Sequence, residues 1–203
     1  MGQRFQILVE MDKKLSIYHC QWLWGEYAIR RLGSFVYALQ EKIKHDKYFD
    51  GSRDMDKCLQ WAFLYNLLDQ NSVSPYFEDY KWFEKELGKA KSVKELMESL
   101  DNNNGQFYLK IKDDKIVGYA FYNPVKGYNS ANKKNQGKLI DWKKYIEDYE
   151  DEKLSEKFDK AQFDELKRGE KIFEKLKLLD EFPDINDFRE EKGQKSHKKL
   201  LVS

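Results

Sequence analysis

Cysteine and histidine are the side chains of this sequence best suited to hold a metal ion or to act as a nucleophile. The chain has two cysteines, Cys20 and Cys58, and His19 adjoins the first of them. A closed zinc site needs four ligands. Because neighbouring residues of a strand point to opposite faces, His19 and Cys20 do not reach one ion together. Cys58 lies in an apolar stretch, where burial raises the pKa of a thiol and lowers its reactivity.

No other pattern indicates catalysis. The sequence has no phosphate-binding glycine loop, no dinucleotide-binding glycine fingerprint and no GxSxG elbow. An enzyme assembled from dispersed residues around His19 is the remaining alternative. We therefore predict a protein that is not an enzyme and that uses no metal or cofactor.

Carboxylates are densest around residue 150. A run of acidic side chains with interleaved tyrosines is commonly a solvated helix face. Alternatively, it imitates the spaced phosphates of a nucleic acid and occupies a basic groove of a partner. The candidate partner-binding residues in this run are Glu147, Asp148, Glu150 and Asp151.

Aromatic side chains are concentrated in residues 61–83, more densely than one buried helix stripe needs. Such residues predict either an exposed patch that contacts a partner or a second copy of this chain, or a larger helical subdomain that buries them. Acidic neighbours would form the rim of the patch and attract a basic partner. The candidate residues are Trp61, Tyr65, Tyr76, Tyr80 and Trp82, with Glu78 and Asp79 at the rim.

A third candidate site combines lysines with strand aromatics. Lys126, Lys133 and Lys134 lie in a loop rich in Asn, Lys and Gly, and several rings alternate on the preceding strands. Exposed rings beside lysines would form a platform on which nucleic-acid bases stack. The commoner arrangement is that the C-terminal helices cover these rings, which are Tyr108, Tyr119 and Phe121.

The elements that must position these residues begin with two hairpins. Residues 5–10 and 16–24 alternate with a period of two, which predicts an antiparallel pair with Trp22 and Trp24 buried on the first helix. Residues 107–112 and 115–122 flank Asp113-Asp114, a two-residue turn that pairs Lys112 with Lys115. That register places Phe107, Leu109 and Ile111 on one face with Ile116, Gly118 and Ala120.

Predicted helices lie between the two hairpins and after the second one. Ala28, Leu32 and Phe35 begin an apolar stripe, and Ser92 with Glu95 fits a capping box. From Leu139 to Pro183 the chain is charged and helical. The predicted fold is α+β: two antiparallel β-hairpins, expected to form one small sheet, packed with helices and followed by a charged helical C-terminal segment. Its parts are a core domain (1–125), a loop (126–138), the charged segment (139–188) and a flexible tail (189–203).

Overall composition narrows the class of partner. The net charge is +1, so no global charge attracts nucleic acid or anionic lipid. Hydrophobic residues make up 40% and aromatic residues 15% of the chain, enough for a sizeable core. No apolar run approaches the roughly 18 residues of a membrane span, and two cysteines do not form a disulfide framework. We expect a cytoplasmic protein that does not bind membranes.

Residues 2–6 (GQRFQ), 21–25 (QWLWG) and 103–106 (NNGQ) form a recognisable set, together with 119–121 (YAF). In these residues the chain resembles a family of uncharacterised proteins encoded by phages and prophages of Gram-positive bacteria. The resemblance covers about the first 45 residues and residues 103–123. It implies no assigned chemistry, but it implies a phage gene. Small phage proteins without catalytic motifs often bind host proteins, including defence machinery.

The expected function is therefore a non-enzymatic phage protein that binds and inhibits a host protein. The host protein would be an anti-phage defence component, such as a CRISPR effector that itself binds nucleic acid. The alternative function is a nucleic-acid-binding accessory protein that uses the lysine loop and the strand aromatics.

Overall fold

The structure is a computed structural model that describes residues 4–11, 14–21, 23–45, 58–59, 62, 80–100, 104–125, 133–149 and 154–189. Five strands and five named helices occur in these ranges. The strands are β1 (Arg4–Met11), β2 (Lys14–Gln21), β3 (Gln106–Lys112), β4 (Lys115–Tyr122) and β5 (Leu139–Ile140). The helices are α1 (Gly25–His45), α2 (Tyr80–Lys89), α3 (Val93–Ser99), α4 (Trp142–Glu147) and α5 (Lys160–Lys175), with short 3-10 helices at Leu154–Lys157 and Ile185–Phe188.

The strands form one open sheet in the order β2-β1-β3-β4-β5, which confirms the α+β class. Both predicted hairpins are present, β1 with β2 and β3 with β4. The description as two hairpins is nevertheless incomplete. β1 and β3 pair in parallel, and β5 adds a fifth strand at residues predicted to be helical. The hairpins thus share one continuous set of ladder hydrogen bonds.

The turn between β3 and β4 has the predicted two residues, Asp113 and Asp114, with φ angles of 49° and 57°. Positive φ at both positions is typical of a type I′ turn, and Lys112 pairs with Lys115 as predicted. The register then shifts between Lys110 and Ile111, so the predicted face pairing beyond it is wrong. A bulge adds one residue to one strand, which exchanges the faces. Phe107 accordingly lies opposite Phe121 and not Ala120.

Two hydrophobic clusters cover the two faces of the sheet. The first face packs against α1, α4 and α5, and its strand residues include Phe5, Ile7, Phe107, Leu109 and Phe121. The second face packs against α3 and the chain from Leu179 to Phe188, and its strand residues include Leu8, Tyr108, Ala120 and Tyr122. α3 begins at the predicted cap, since the Ser92 hydroxyl accepts a hydrogen bond from the Glu95 amide at 3.0 Å.

α1 and α5 approach each other so closely that no side chain fits between them. A Cβ atom built on Gly33 would lie 2.2 Å from the Cα atom of Gly169. Beside this contact, the Arg30 guanidinium donates to Glu165 at 2.9 Å, and Ser155 donates two hydrogen bonds to Glu26. These contacts hold α5 against the first half of α1.

The predicted charged helical segment is more varied than its sequence indicated. Leu139 and Ile140 form β5, and α5 ends at Lys175 and not at Pro183. The chain then runs extended beside β4, where the Tyr119 amide donates to the Lys177 carbonyl and the Leu179 amide to the Tyr119 carbonyl. Gly118 leaves room for this strand-like segment. The helices of the described residues include none with the length and apolar character that a membrane crossing requires.

Candidate interaction surface

The cysteines and His19 do not form a site in the described structure. Cys20 is buried in β2, and burial raises the pKa of its thiol to about 12. Cys58 is also buried, in the first-face cluster. His19 pairs with Gln6 while Cys20 pairs with Phe5, so the two side chains point to opposite faces as predicted. The described residues contain no group of three or more His, Cys, Asp or Glu side chains able to hold a metal ion.

Two buried tyrosines on the second face donate hydrogen bonds to carboxylates. The Tyr108 hydroxyl donates to Glu10, which also pairs with the Lys110 ammonium at 2.8 Å. The Tyr122 hydroxyl donates to Glu98, which accepts the Val125 amide at 3.0 Å as well. Burial and the neighbouring carboxylate both raise the pKa of each phenol. These phenols are therefore neutral, and each donates its proton in a hydrogen bond that stabilises the second face.

A row of amide side chains crosses the same face. Gln6 lies opposite His19 on one side and opposite Gln106 on the other. The Gln106 amide nitrogen donates to the Gln6 side-chain oxygen and to the Met97 carbonyl, both at 2.9 Å. Gln6 and Gln106 are almost completely buried. The row thus joins α3 to the sheet, which is a structural role.

The acidic run near residue 150 is divided by the fold. Asp148 is buried, and its carboxylate accepts hydrogen bonds from the Lys134 amide at 2.8 Å, the Asn135 amide at 3.2 Å and the Asn123 side chain. Asp148 therefore fixes the loop that precedes β5. Glu147 is exposed at the end of α4. Glu150 and Asp151 lie outside the described residues.

Most residues of the predicted aromatic patch lie outside the described ranges. Trp61, Tyr65, Tyr76, Glu78 and Asp79 lie outside the described residues. For Tyr80 and Trp82 the structure gives only the helical backbone of α2. The patch stays a prediction, as does the burial of Trp22, which is also outside the described residues. Trp24 is partly buried against the first-face cluster.

The aromatic rings proposed as a stacking platform are inside the protein. Tyr108, Tyr119 and Phe121 are at most 2% exposed. Phe173 of α5 lies over the last two rings, with centroid distances of 4.7 Å to Tyr119 and 5.8 Å to Phe121. A C-terminal helix thus covers Tyr119 and Phe121, whereas Tyr108 lies on the second face beside Phe182. All three rings are buried and are not available to nucleic-acid bases. The ammonium of Lys133, from the lysine loop, lies 3.3 Å from the Tyr149 ring centroid.

Large exposed apolar side chains mark other parts of the surface. Tyr37 of α1 is 55% exposed, and Phe163 of α5 is 43% exposed. Tyr37 is one turn beyond Gly33 on the side of α1 that carries Glu26 and Arg30. α5 contacts that side at Arg30 and Gly33, and Tyr37 is more than half exposed.

The outward side of α5 is strongly basic. Leu166, Gly169 and Phe173 are the buried residues of this helix. At helical spacing on the opposite side, the exposed residues are mostly cationic, and we name this set the cationic face of α5. Its members are Lys160, Lys167, Arg168, Lys171 and Lys175. From its sequence, the segment was predicted only to be charged and helical. Counting charge at intervals of three and four residues would have found this face.

Comparisons with known proteins add no relative. No protein-family model, curated protein or solved structure matches this chain. A functional conclusion must come from the surface and the buried groups themselves.

Proposed function

We propose that this chain is a non-enzymatic protein that binds and inhibits another protein, with Tyr37 at the centre of the contact. The resemblance to phage proteins extends the proposal to the target. The target would be a host protein of the anti-phage defence, and the complex would form in the host cytoplasm. The observation that carries the proposal is the exposure of a large aromatic side chain on the longest helix that the structure describes.

The rigidity of Tyr37 comes from α1. This helix of 21 residues lies in the middle of the first-face cluster, and its buried residues extend from Gly25 to Ile43. The backbone of Tyr37 is therefore fixed on both sides along the helix. A tyrosine on such a helix loses little conformational entropy on binding, which is one reason why tyrosines are frequent at the centres of interfaces.

The surroundings of Tyr37 fit the rim of an interface. The Lys44 ammonium donates to Glu41 at 2.5 Å on the next turns of α1. Exposed paired charges contribute little to affinity but exclude unsuitable partners and orient the approach. An apolar centre with a charged rim is the usual composition of a protein–protein contact.

The chemistry of the described interior is consistent with a binding role. The Cys20 thiol, with its pKa of about 12, is protonated at neutral pH. The buried phenols of Tyr108 and Tyr122 donate to carboxylates within the fold. Each of these groups has a structural partner or a raised pKa, and none is offered to a substrate.

The test compares partner recovery by two matched aromatic variants. Wild-type protein, Tyr37→Ala and Phe163→Ala are immobilised, and proteins captured from a Gram-positive host lysate are quantified by mass spectrometry. We expect a stoichiometric partner on the wild type and on Phe163→Ala, and at least about a tenfold loss on Tyr37→Ala, because truncating a central aromatic typically costs about 2 kcal/mol. All three proteins should have the same melting temperature.

Inhibition is then measured on the purified partner, with and without an excess of this protein. The absence of a stoichiometric partner, or equal recovery by Tyr37→Ala and the wild type, would contradict the proposal. If the activity of a captured partner is unchanged, this protein binds the partner but does not inhibit it.

A further inference from the structure

The cationic face of α5 combines exposure, one sign of charge and a fixed backbone. We propose that this face binds the phosphate backbone of a nucleic acid, without reading its base sequence. This binding function is separate from the protein contact proposed at Tyr37. It also differs from the nucleic-acid alternative that the sequence suggested, because it uses neither the lysine loop nor the strand aromatics.

The cations of this face point outward, while three carboxylates of the same helix have cationic partners, two of them outside the face. Glu165 accepts from the buried Arg30, Glu170 pairs with Lys167 at 2.8 Å, and Glu174 lies 3.9 Å from Lys143. The exposed carboxylates of this helix are Asp164, which lies among the basic residues of the face, and Glu174. The face therefore keeps a local positive charge although the whole chain is nearly neutral.

Most of the basic side chains on this face are not engaged by the protein. Within the part of the chain that the structure describes, Lys160, Arg168, Lys171 and Lys175 form no ion pair. A nucleic acid carries a layer of condensed cations, and unpaired cations of a protein release them when they neutralise its phosphates. That release is the main source of sequence-independent affinity for nucleic acid.

The geometry suits a chain of phosphates. α5 has 16 residues and is about 24 Å long. From Lys167 to Lys175 basic side chains recur about once per turn, or every 5.4 Å, and Lys160 lies two turns before Lys167. Phosphates of a duplex follow each other about every 3.4 Å of the axis on each strand, so each turn of α5 can face one or two of them. The Gly33–Gly169 contact and the Arg30–Glu165 ion pair fix the helix axis, so the charges form a stable row.

The composition of the face favours nucleic acid over an acidic protein. Protein–protein contacts usually have an apolar centre, and this face has none among its exposed central residues. The nearest exposed aromatic, Phe163, lies at its edge, where the Lys167 ammonium is 5.3 Å from its ring centroid. Interfaces with nucleic acid are more polar and more positively charged.

The experiment measures binding to fluorescent duplex and single-stranded DNA of mixed sequence by anisotropy, from about 50 to about 200 mM salt. The test variant is Arg168→Gln with Lys171→Gln. The control is Lys85→Gln with Lys91→Gln, which has the same net charge but changes exposed lysines outside α5. We expect the test variant to lower the slope of log affinity against log salt by about two, and the control to leave it unchanged.

Asp164→Asn should have the opposite effect on affinity, because it removes an exposed negative charge from among the basic residues. We expect it to tighten binding to both probes at low salt. Melting temperatures of all variants should match the wild type, since the changed side chains are exposed.

Three results would overturn the proposal. They are no anisotropy change at low salt, equal salt slopes for the test and control variants, and equal competition by poly-glutamate at the same charge concentration. The last result would assign the face to an acidic protein partner. The capture experiment uses a different variant, Tyr37→Ala. A negative result in the DNA-binding experiment therefore does not affect the proposed protein contact, and a negative capture result does not affect the proposed nucleic-acid binding.

Discussion

The two faces of the sheet are built from the same strands but are held by different forces. On the first face, Phe5, Ile7 and Phe107 meet the long helices α1 and α5 through apolar surface. On the second face, Glu10 and Gln106 lie among apolar residues, and the covering helix α3 has only seven residues. One face has long helices and large rings, whereas the other has short elements and directional hydrogen bonds.

This difference implies different sensitivities to substitution. Apolar packing loses stability in proportion to the volume removed and to the cavity that remains. The loss of a buried hydrogen bond to a charged group has a different cost. Removing one partner leaves the other buried, desolvated and without a hydrogen bond. Stability should thus fall with the side-chain volume removed from the first face, and with the loss of single polar atoms from the second face.

The largest effect is expected from truncating Phe173, which contacts the first face from α5. Its ring lies 4.7 Å from Tyr119 and 5.8 Å from Phe107, centroid to centroid. Phe173→Ala should lower the free energy of unfolding by about 3–5 kcal/mol, measured by chemical denaturation. Phe163→Ala on the same helix is the matched control and should change it by less than about 0.5 kcal/mol, since that ring is exposed. Similar losses in both variants would refute the assignment of size sensitivity to the first face.

The closest contact of the first-face helices gives the next effect. Gly33→Ala places a Cβ atom 2.2 Å from the backbone of Gly169, and no rotamer change can relieve it. We expect a loss of about 3 kcal/mol, because overpacking forces backbone movement. At Gly88 of α2 a Cβ atom meets nothing within 4 Å. Gly88→Ala should therefore raise stability by about 0.5–1 kcal/mol, and a loss there of the same size would argue against steric overlap as the cause.

The second face is tested by removing a single oxygen atom. Tyr108→Phe deletes the hydroxyl that donates to the buried Glu10 and leaves the ring in place. The expected loss is about 1.5–3 kcal/mol, the range for a hydrogen bond to a charged group. Tyr37→Phe, at an exposed tyrosine, should leave the denaturation midpoint unchanged. If Tyr108→Phe also leaves the denaturation midpoint unchanged, the stability of this face depends on side-chain size and not on single polar atoms.

Per pH unit, the smallest effect is the response of the first face to alkali. The thiol of Cys20 has a pKa raised by burial from 9.0 to about 12, so above pH 9.0 it ionises in the unfolded chain before the folded one. Its contribution to stability is complete below pH 9.0 and is lost as the pH rises towards 12, by at most about 1.4 kcal/mol per pH unit. Denaturation of Cys20→Ala across this window should show a shallower decline than the wild type. Parallel curves would mean that the folded thiol ionises normally.

Much of the local structure could be predicted because its causes are local. Period-two alternation identified β1 to β4, the two aspartates identified the turn of β3 and β4, and Ser92 identified the start of α3. The apolar spacing of α1 likewise gave its buried side. Each of these features depends on residues within a few positions of each other, so the sequence carries the full signal.

The remaining features depend on contacts between distant residues. Nothing near Gln6 indicates its pairing with Gln106, and nothing near Gly33 indicates its contact with Gly169. The bulge at Lys110 was missed because a shift of one residue is decided by packing on both faces at once. The candidate surfaces follow the same rule. The basic spacing of α5 is visible in the sequence, but the exposure of Tyr37 depends on how distant segments pack on α1.

The parallel pairing of β1 with β3 determines when the sheet can fold during synthesis. The ribosome releases β1 and β2 first, and a lone hairpin is only marginally stable in water. The inner edge of β1 then waits for a partner 100 positions further along the chain, and an open edge is a template for pairing with other molecules. The centre of the sheet is therefore completed late, and nascent chains that stop before β3 expose β1 to aggregation or to chaperones.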